Sequence, residues 1–287
     1  MTAVIASALI LGGCIKTTPL TYGQAPLPPH MAPYLLTSTA EDLNSWIANI
    51  YNTTNSFEAT TDMTARSGSV YRSFAVTELT ESFTAYILFR KTADIRVVGK
   101  VPIYGTAFDM TSTGDAFKLS LPTKNLFVTG SDAAPAEPST NALENLRPNT
   151  LLAAILIRPA DLTTERIHIE DDTDVNHSWY ILQFTRKGPD DTDLPDKSVW
   201  FDRLNLRAIR QRIFDNDGLI ISDTTYDKWQ PYDGVMFPMH IDASFKKAGY
   251  GVVINTNSVK MNSGPEDAKF AQTQPAGSTL KMLGGAH

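Results

Sequence analysis

Phe108-Asp109-Met110-Thr111-Ser112-Thr113-Gly114-Asp115-Ala116-Phe117-Lys118-Leu119 decides the fold. Phe108 and Met110 alternate with Asp109 and Thr111. Phe117 and Leu119 flank Lys118, and the turn Ser112-Thr113-Gly114-Asp115 lies between the two runs. A period of two is that of a strand with one buried face, and a Gly-containing turn between two such runs reads as an antiparallel hairpin. Tyr104 and Thr106 extend the first phase and Leu121 the second, and a short run at 125–129 follows. Upstream the same period recurs in Val70, Arg72, Phe74 and Val76, and further runs lie at 83–90 and 95–100.

Downstream, strand-like runs lie at 166–170, 179–186, 198–202, 206–214, 219–226, 235–245 and 250–260. Asp215-Asn216-Asp217-Gly218 is a strong hairpin turn. Two segments have helical period instead. In the first, from Thr39 to about Tyr51, Leu43, Trp46, Ile47 and Ile50 form one stripe, and Ser38 with Glu41 reads as a capping box. In the second, Pro148 suits a first helical turn, and Leu151, Leu152, Ile155 and Leu156 share a face before Arg158-Pro159 ends the helix. Strands and helices do not alternate, which argues against a doubly wound parallel sheet. The expected architecture is mainly β with an α+β character: one curved antiparallel sheet of about eleven strands, with helices packed on its concave face.

The 287 residues are 42% hydrophobic, enough for a real core, and 31 acidic against 25 basic residues leave a net charge of −6. That balance argues against a nucleic-acid binder, which needs a basic face. One cysteine cannot make an internal disulfide. It is Cys14, in Leu11-Gly12-Gly13-Cys14, after the apolar run at 3–11. It reads either as a free core thiol or as a lipidation site. Its solitary status and the small residues before it favour lipidation, although Met1-Thr2-Ala3 lacks the Lys or Arg that opens a signal peptide. The expected layout is a signal peptide at 1–13, a lipidated Pro-rich tether at 14–33, a folded body at 34–271 and a flexible tail at 272–287. In polyproline II the tether from Lys16 reaches roughly 55 Å at about 3.1 Å per residue.

The lipobox-like start resembles that of bacterial lipoproteins, in which the cysteine is acylated, with palmitate for example. Ile15, where an Asp would retain the protein at the inner membrane, implies by that resemblance outer-membrane sorting toward the periplasm. The strand order resembles the bacterial outer-membrane lipoprotein-sorting (LolA/LolB-like) superfamily. The resemblance rests on Ala93-Asp94-Ile95-Arg96-Val97 running into the hairpin quoted first, and on Trp200-Phe201-Asp202-Arg203-Leu204-Asn205-Leu206 followed by Arg210-Gln211, Tyr226 and Phe237-Pro238. It implies an unclosed half-barrel with helices as a lid over bound acyl chains. The protein would then be a monomeric carrier or receptor for lipoproteins or lipids, needing no cofactor. The alternative is an interaction or sensor module of the same fold, with a sealed core and a protein partner. The apolar side chains assigned to the implied cavity are Trp46, Ile50, Phe108, Met110, Phe117, Leu152, Ile155, Trp179, Phe184, Phe237 and Met239, and ordinary core packing is the competing reading for each.

The remaining residues carry no enzymatic signature. The Asp215–Gly218 loop lacks the later Glu of a calcium site, and the acidic stretches at 170–174 and 190–193 read as solvated hairpin loops. His168, His177 and His240 have no metal-ligand spacing, and no Gly-x-Ser-x-Gly elbow or phosphate loop occurs. A binding protein without a catalytic centre is the expectation.

Overall fold

Strand pairing follows the alternation in a computed structural model, which describes residues 34–67, 79–114, 116–131, 142–188 and 190–283. The expected leader, Cys14, the tether, the strand at 70–76 and nearly all of the loop at 131–140 lie outside the described residues. In the first half, β2 (Leu79–Arg90), β3 (Asp94–Val101), β4 (Gly105–Thr113), β5 (Ala116–Leu121) and β6 (Leu126–Ser131) form an antiparallel meander. The hairpin reading of 108–119 holds in register, with Met110 opposite Leu119 and Ser112 opposite Phe117.

A second meander contains β7 (Glu165–Thr173), β8 (Ser178–Lys187), β9 (Asp193–Asp202), β10 (Arg207–Phe214), β11 (Ile220–Tyr232), β12 (Val235–Phe245) and β13 (Tyr250–Met261). At the β10–β11 turn, Asp215 Oδ1 accepts from the backbone of Asp217 and Leu219, and Gly218 takes φ +74°. That is the side-chain-closed turn its sequence called for.

The two meanders are seamed by β1 (Ser56–Ser67), which places Phe57 opposite both Phe89 of β2 and Met261 of β13. This strand corrects the sequence reading, which began the sheet near Ser67. Phe57, Ala59, Thr61, Met63 and Ala65 form its buried phase. Small and polar side chains there give too little hydrophobic contrast to register as a strand. Among the described residues the result is one unclosed sheet of 14 strands, with β14 (Thr279–Leu283) and β7 at its edges, against about eleven expected from periodicity.

β14 is a second correction. It pairs parallel with β6, so residues 279–283 belong to the sheet rather than to a frayed tail. The segment leading to it straps the outer face. Arg96 Nη1 donates to Lys269 O at 2.8 Å, Thr111 Oγ1 to Phe270 O at 3.1 Å and Lys118 Nζ to Gln272 O at 2.9 Å. Outward-facing side chains thus recruit a segment whose own composition carries no strand signal.

Two helices cover the inner face. α1 (Ala40–Thr53) buries Ala40, Leu43, Asn44 and Ile47, and lies against β7, β8 and β12. Its capping box is Thr39 with Asp42, one residue later than Ser38 with Glu41. Thr39 Oγ1 accepts from Asp42 N at 3.1 Å, and Thr39 N donates to Asp42 Oδ2 at 3.3 Å. Both registers satisfy the same cap chemistry, and the later one starts the helix at Ala40, the first residue of the buried stripe.

α2 (Pro148–Ile155) begins with Pro148 in its first turn, as expected, and buries Leu151, Ala154 and Ile155. It touches β3 and β4 on one side and β11 and β12 on the other. A two-turn helix has little intrinsic stability, so its packing across both meanders holds it.

Candidate functional site

Curvature brings β2 and the β9–β10 pair to the walls of one cavity beneath α2. Its volume is about 390 Å³, at the low end of the roughly 300–1,000 Å³ of small-molecule sites. Phe89 of β2 and Ile213 of β10 supply apolar walls, and Leu152, Ala153 and Leu156 come from α2 and its end. Tyr51 of α1 and the β2–β3 turn, Thr92 and Ala93, complete the lining.

The polar lining grades inward from solvent: Thr92 and Arg158 are exposed, Tyr51, Asn149 and Asp196 half-buried, and Lys197 and Gln211 buried. Lys197 is in phase with Val199 and Phe201 on the inner face of β9, and is only 4% exposed. Its Nζ lies 4.1 Å from the centre of the Phe184 ring and 3.7 Å from Asp196 Oδ2, and makes no hydrogen bond among the described residues. Burial pushes this ammonium down to about 8; Arg158 acts in the same direction, and Asp196 and Glu165 oppose.

Glu165 is engaged elsewhere. Burial alone would raise its carboxyl, but hydrogen bonds from Arg158 and from Asp161 N hold it below the ordinary carboxylate range. Gln211 Nε2 donates to Ala153 O at 3.0 Å, tying β10 to α2, and leaves Oε1 buried without a partner among the described residues. Asn149 Nδ2 donates to Gly114 O at 3.0 Å, and its Oδ1 is likewise unpartnered among the described residues. A buried polar atom with no partner costs free energy unless water or a ligand meets it.

A second space of about 430 Å³ lies on the outer face, where Arg90, Asp94 and Lys118 meet the strap. Its charges are already engaged: Arg90 pairs with Asp94 at 2.6 Å and with Asp267 at 2.7 Å, and Lys118 donates to Gln272 O at 2.9 Å. The inner cavity, more apolar and with unmet polar atoms, is the better candidate for a ligand.

Of the side chains assigned from sequence, Leu152 lines this cavity. Trp46, Ile50, Ile155 and Phe237 do come together, between α1, α2 and β12, but around a space of about 10 Å³, too small for a chain. Trp46 is instead packed edge-on against Phe201 at 5.7 Å and Trp229 at 5.3 Å. Phe108, Met110 and Phe117 are fully buried in the first meander, and Phe184 sits under the Lys197 ammonium.

Met239 is half-buried in β12. Trp179 lies on the face opposite Tyr180, Leu182 and Phe184, stacked on His177 at 4.0 Å, because alternation in β8 turns odd-numbered residues outward. Tyr51, Phe89, Asn149, Arg158, Lys197 and Gln211 were missed from sequence. Only Lys197 carried a signal there, as a charge in phase with apolar Val199 and Phe201.

No protein-family model matches this chain, and no curated sequence is significantly similar to it. Solved structures match it in shape. A LolA superfamily protein from Nitrosomonas europaea superposes with a TM-score of 0.52 at 13% identity, over 82% of this chain and 99% of that one. A DUF1329 family protein from Desulfovibrio piger gives 0.53 at 15% identity, over 82% and 98%. A putative outer membrane lipoprotein-sorting protein domain from Vibrio parahaemolyticus gives 0.52 at 14% identity, over 81% and 97%.

The class so defined is an open half-barrel with helices across its concave side. The chain has the fold of the LolA-like superfamily, and at these identities the likeness is one of fold.

Proposed function

We propose that the protein is a carrier or receptor of the bacterial envelope that holds acyl chains of lipids or lipoproteins between its sheet and α2. The observation that carries this reading is the inner cavity of about 390 Å³, walled by Phe89, Leu152, Leu156 and Ile213. The shared fold of the lipoprotein-sorting structures supports it. At the roughly 30 Å³ that one water takes in the liquid, the volume suits a single short chain or part of a longer one. Burying ten methylenes is worth about 8 kcal/mol gross. Ordering and lost translation take back several kcal/mol or more. The affinity for one chain is therefore micromolar or weaker.

In this reading Cys14 is acylated and anchors the body, through the tether at 14–33, to the periplasmic side of the outer membrane. The body acts as a monomer and without catalysis. Two measurements test the proposal. Cys14→Ala is expected to move the protein from the membrane to the soluble fraction, and unchanged partitioning would refute the anchor. Mass spectrometry of lipid extracted from the purified protein is expected to find acyl species. A lipid-free protein that also ignores added fatty acid in titration would favour the sealed interaction module.

A further inference from the structure

The inner cavity is not uniformly apolar, and its polar side is unbalanced. Three cations, Arg158, Arg186 and Lys197, share two carboxylates, Glu165 and Asp196, so the cluster holds one excess positive charge. Both carboxylates are claimed by the guanidinium groups. Arg158 donates to Glu165 Oε2 at 3.1 Å and to Asp196 at 3.3 Å, and Arg186 lies 3.5 Å from Asp196. Lys197 is left at 3.7 Å from Asp196, beyond hydrogen-bond reach, at the cavity wall. A buried ammonium in that position gains from an anion that enters the cavity.

Beside it on the next strand, Gln211 is 2% exposed and also faces the cavity. Its orientation is set by the Nε2 bond to Ala153 O, so the unmet atom is an acceptor and calls for an O–H or N–H donor. Gln211 stands opposite Val199, which makes it a diagonal neighbour of Lys197. On such a diagonal, side chains are about 7–8 Å apart at the backbone, within the span of one small head group. Phe89, Leu152, Leu156 and Ile213 supply apolar contact for a chain, with Tyr51, Thr92 and Asn149 also at the lining.

We infer that the cavity selects a single-chain amphiphile with an anionic head, the anion seated on Lys197 and a head-group hydroxyl donating to Gln211 Oε1, with the chain along Phe89, Leu152 and Ile213. This rests on the carrier reading and adds to it the chemistry of the head group. A carboxylate and a phosphate monoester share that chemistry.

The test uses the full chain bearing Cys14→Ala, delipidated, and titrates it with dodecanol, dodecanoate, 3-hydroxydodecanoate and dodecyl phosphate. Dodecanoate or dodecyl phosphate is expected to bind about tenfold tighter than dodecanol or better, and the tighter of the two identifies the anion. In Lys197→Met the ratio is expected to fall to about one. 3-Hydroxydodecanoate is expected to bind several-fold tighter than dodecanoate, a gain lost in Gln211→Met.

A readout that needs no variant is the pH profile. Arg158 after α2, Asp196 of β9 and Glu165 of β7 act on Lys197, Arg186 of β8 lies 3.5 Å from Asp196, and Tyr51 lines the same cavity. Carboxylates and guanidinium ions keep their charge from about pH 6 to about pH 9. The preference for dodecanoate over dodecanol is therefore expected to fade as Lys197 loses its proton toward the top of that range. Binding of both dodecanoate and dodecyl phosphate no tighter than that of dodecanol, or a preference that survives Lys197→Met, overturns the inference and leaves the carrier reading standing. Binding of none of the four probes overturns both.

Discussion

Lys197 concentrates the cost of the site in one side chain. Its ammonium titrates at about 8 in the folded protein, below its ordinary 10.5, because it is buried. Between those values the unfolded chain holds a proton that the folded chain has released, so folding stability rises with pH across that window. Below about 8 both states hold the proton, and the full cost of the buried charge is present, about 3 kcal/mol at 1.36 kcal/mol per unit. Lys197→Met removes the charge and keeps most of the stem. It is expected to be about 2–3 kcal/mol more stable than the natural chain near neutral pH, with the advantage shrinking as pH climbs above 8. Urea melts of both proteins at neutral and at alkaline pH would show this, and equal stability near neutrality would contradict it. The residue was legible in part: its phase in β9 marks an inward charge. What the phase cannot give is the company it keeps, because Arg158, Glu165 and Gln211 arrive from other elements.

α2 divides the work of a lid between two kinds of position. Leu151, Ala154 and Ile155 are buried in the core, whereas Leu152 and Ala153 line the cavity. Ile155→Ala is therefore expected to cost about 2–4 kcal/mol of stability with little change in affinity for a bound chain. Leu152→Asn is expected to cost clearly less stability and to weaken chain binding several-fold. Thermal or denaturant melts paired with a fatty-acid titration separate the two. A loss of binding that merely tracks the loss of stability in both variants would mean that α2 is sealed core. The sequence placed Leu152 and Ile155 on one helical face, correctly, but a face some 100° wide meets more than one neighbour. Which part meets protein and which meets a void is fixed by the curve of the sheet under it.

On the scale of the whole molecule the two meanders are joined, and one sheet edge is extended, by distant partners rather than by turns. Phe57 pairs with Met261, and Thr279 with Leu126. Such contacts form only after long loops are closed, and they leave strand edges exposed when they fail. β14 caps β6, and the strap before it covers the outer faces of β3 to β5 through Arg96, Thr111 and Lys118. Deleting residues 272–287 is expected to uncover β6 and to produce oligomers or aggregates. Light scattering during size-exclusion chromatography would report them, and a monodisperse truncated protein would contradict the role given to β14.

What the sequence determined by itself is local. Alternation in 108–119, the Asp215–Gly218 turn and the stripe of α1 specify hairpins and a helix, because the residues that must meet are a few positions apart. The mainly β character and the antiparallel meanders follow from those units. The seam made by β1, the parallel pairing of β14 and the cavity itself were decided only by the tertiary structure. β1 is held by partners on both sides more than by its own apolar pattern, β14 by a strap anchored on other strands. The cavity exists because curvature carries Phe89, Leu152, Lys197 and Gln211 to one place without filling it. Periodicity tells which way a side chain faces, and only the assembled sheet determines whether it meets another side chain or an open space.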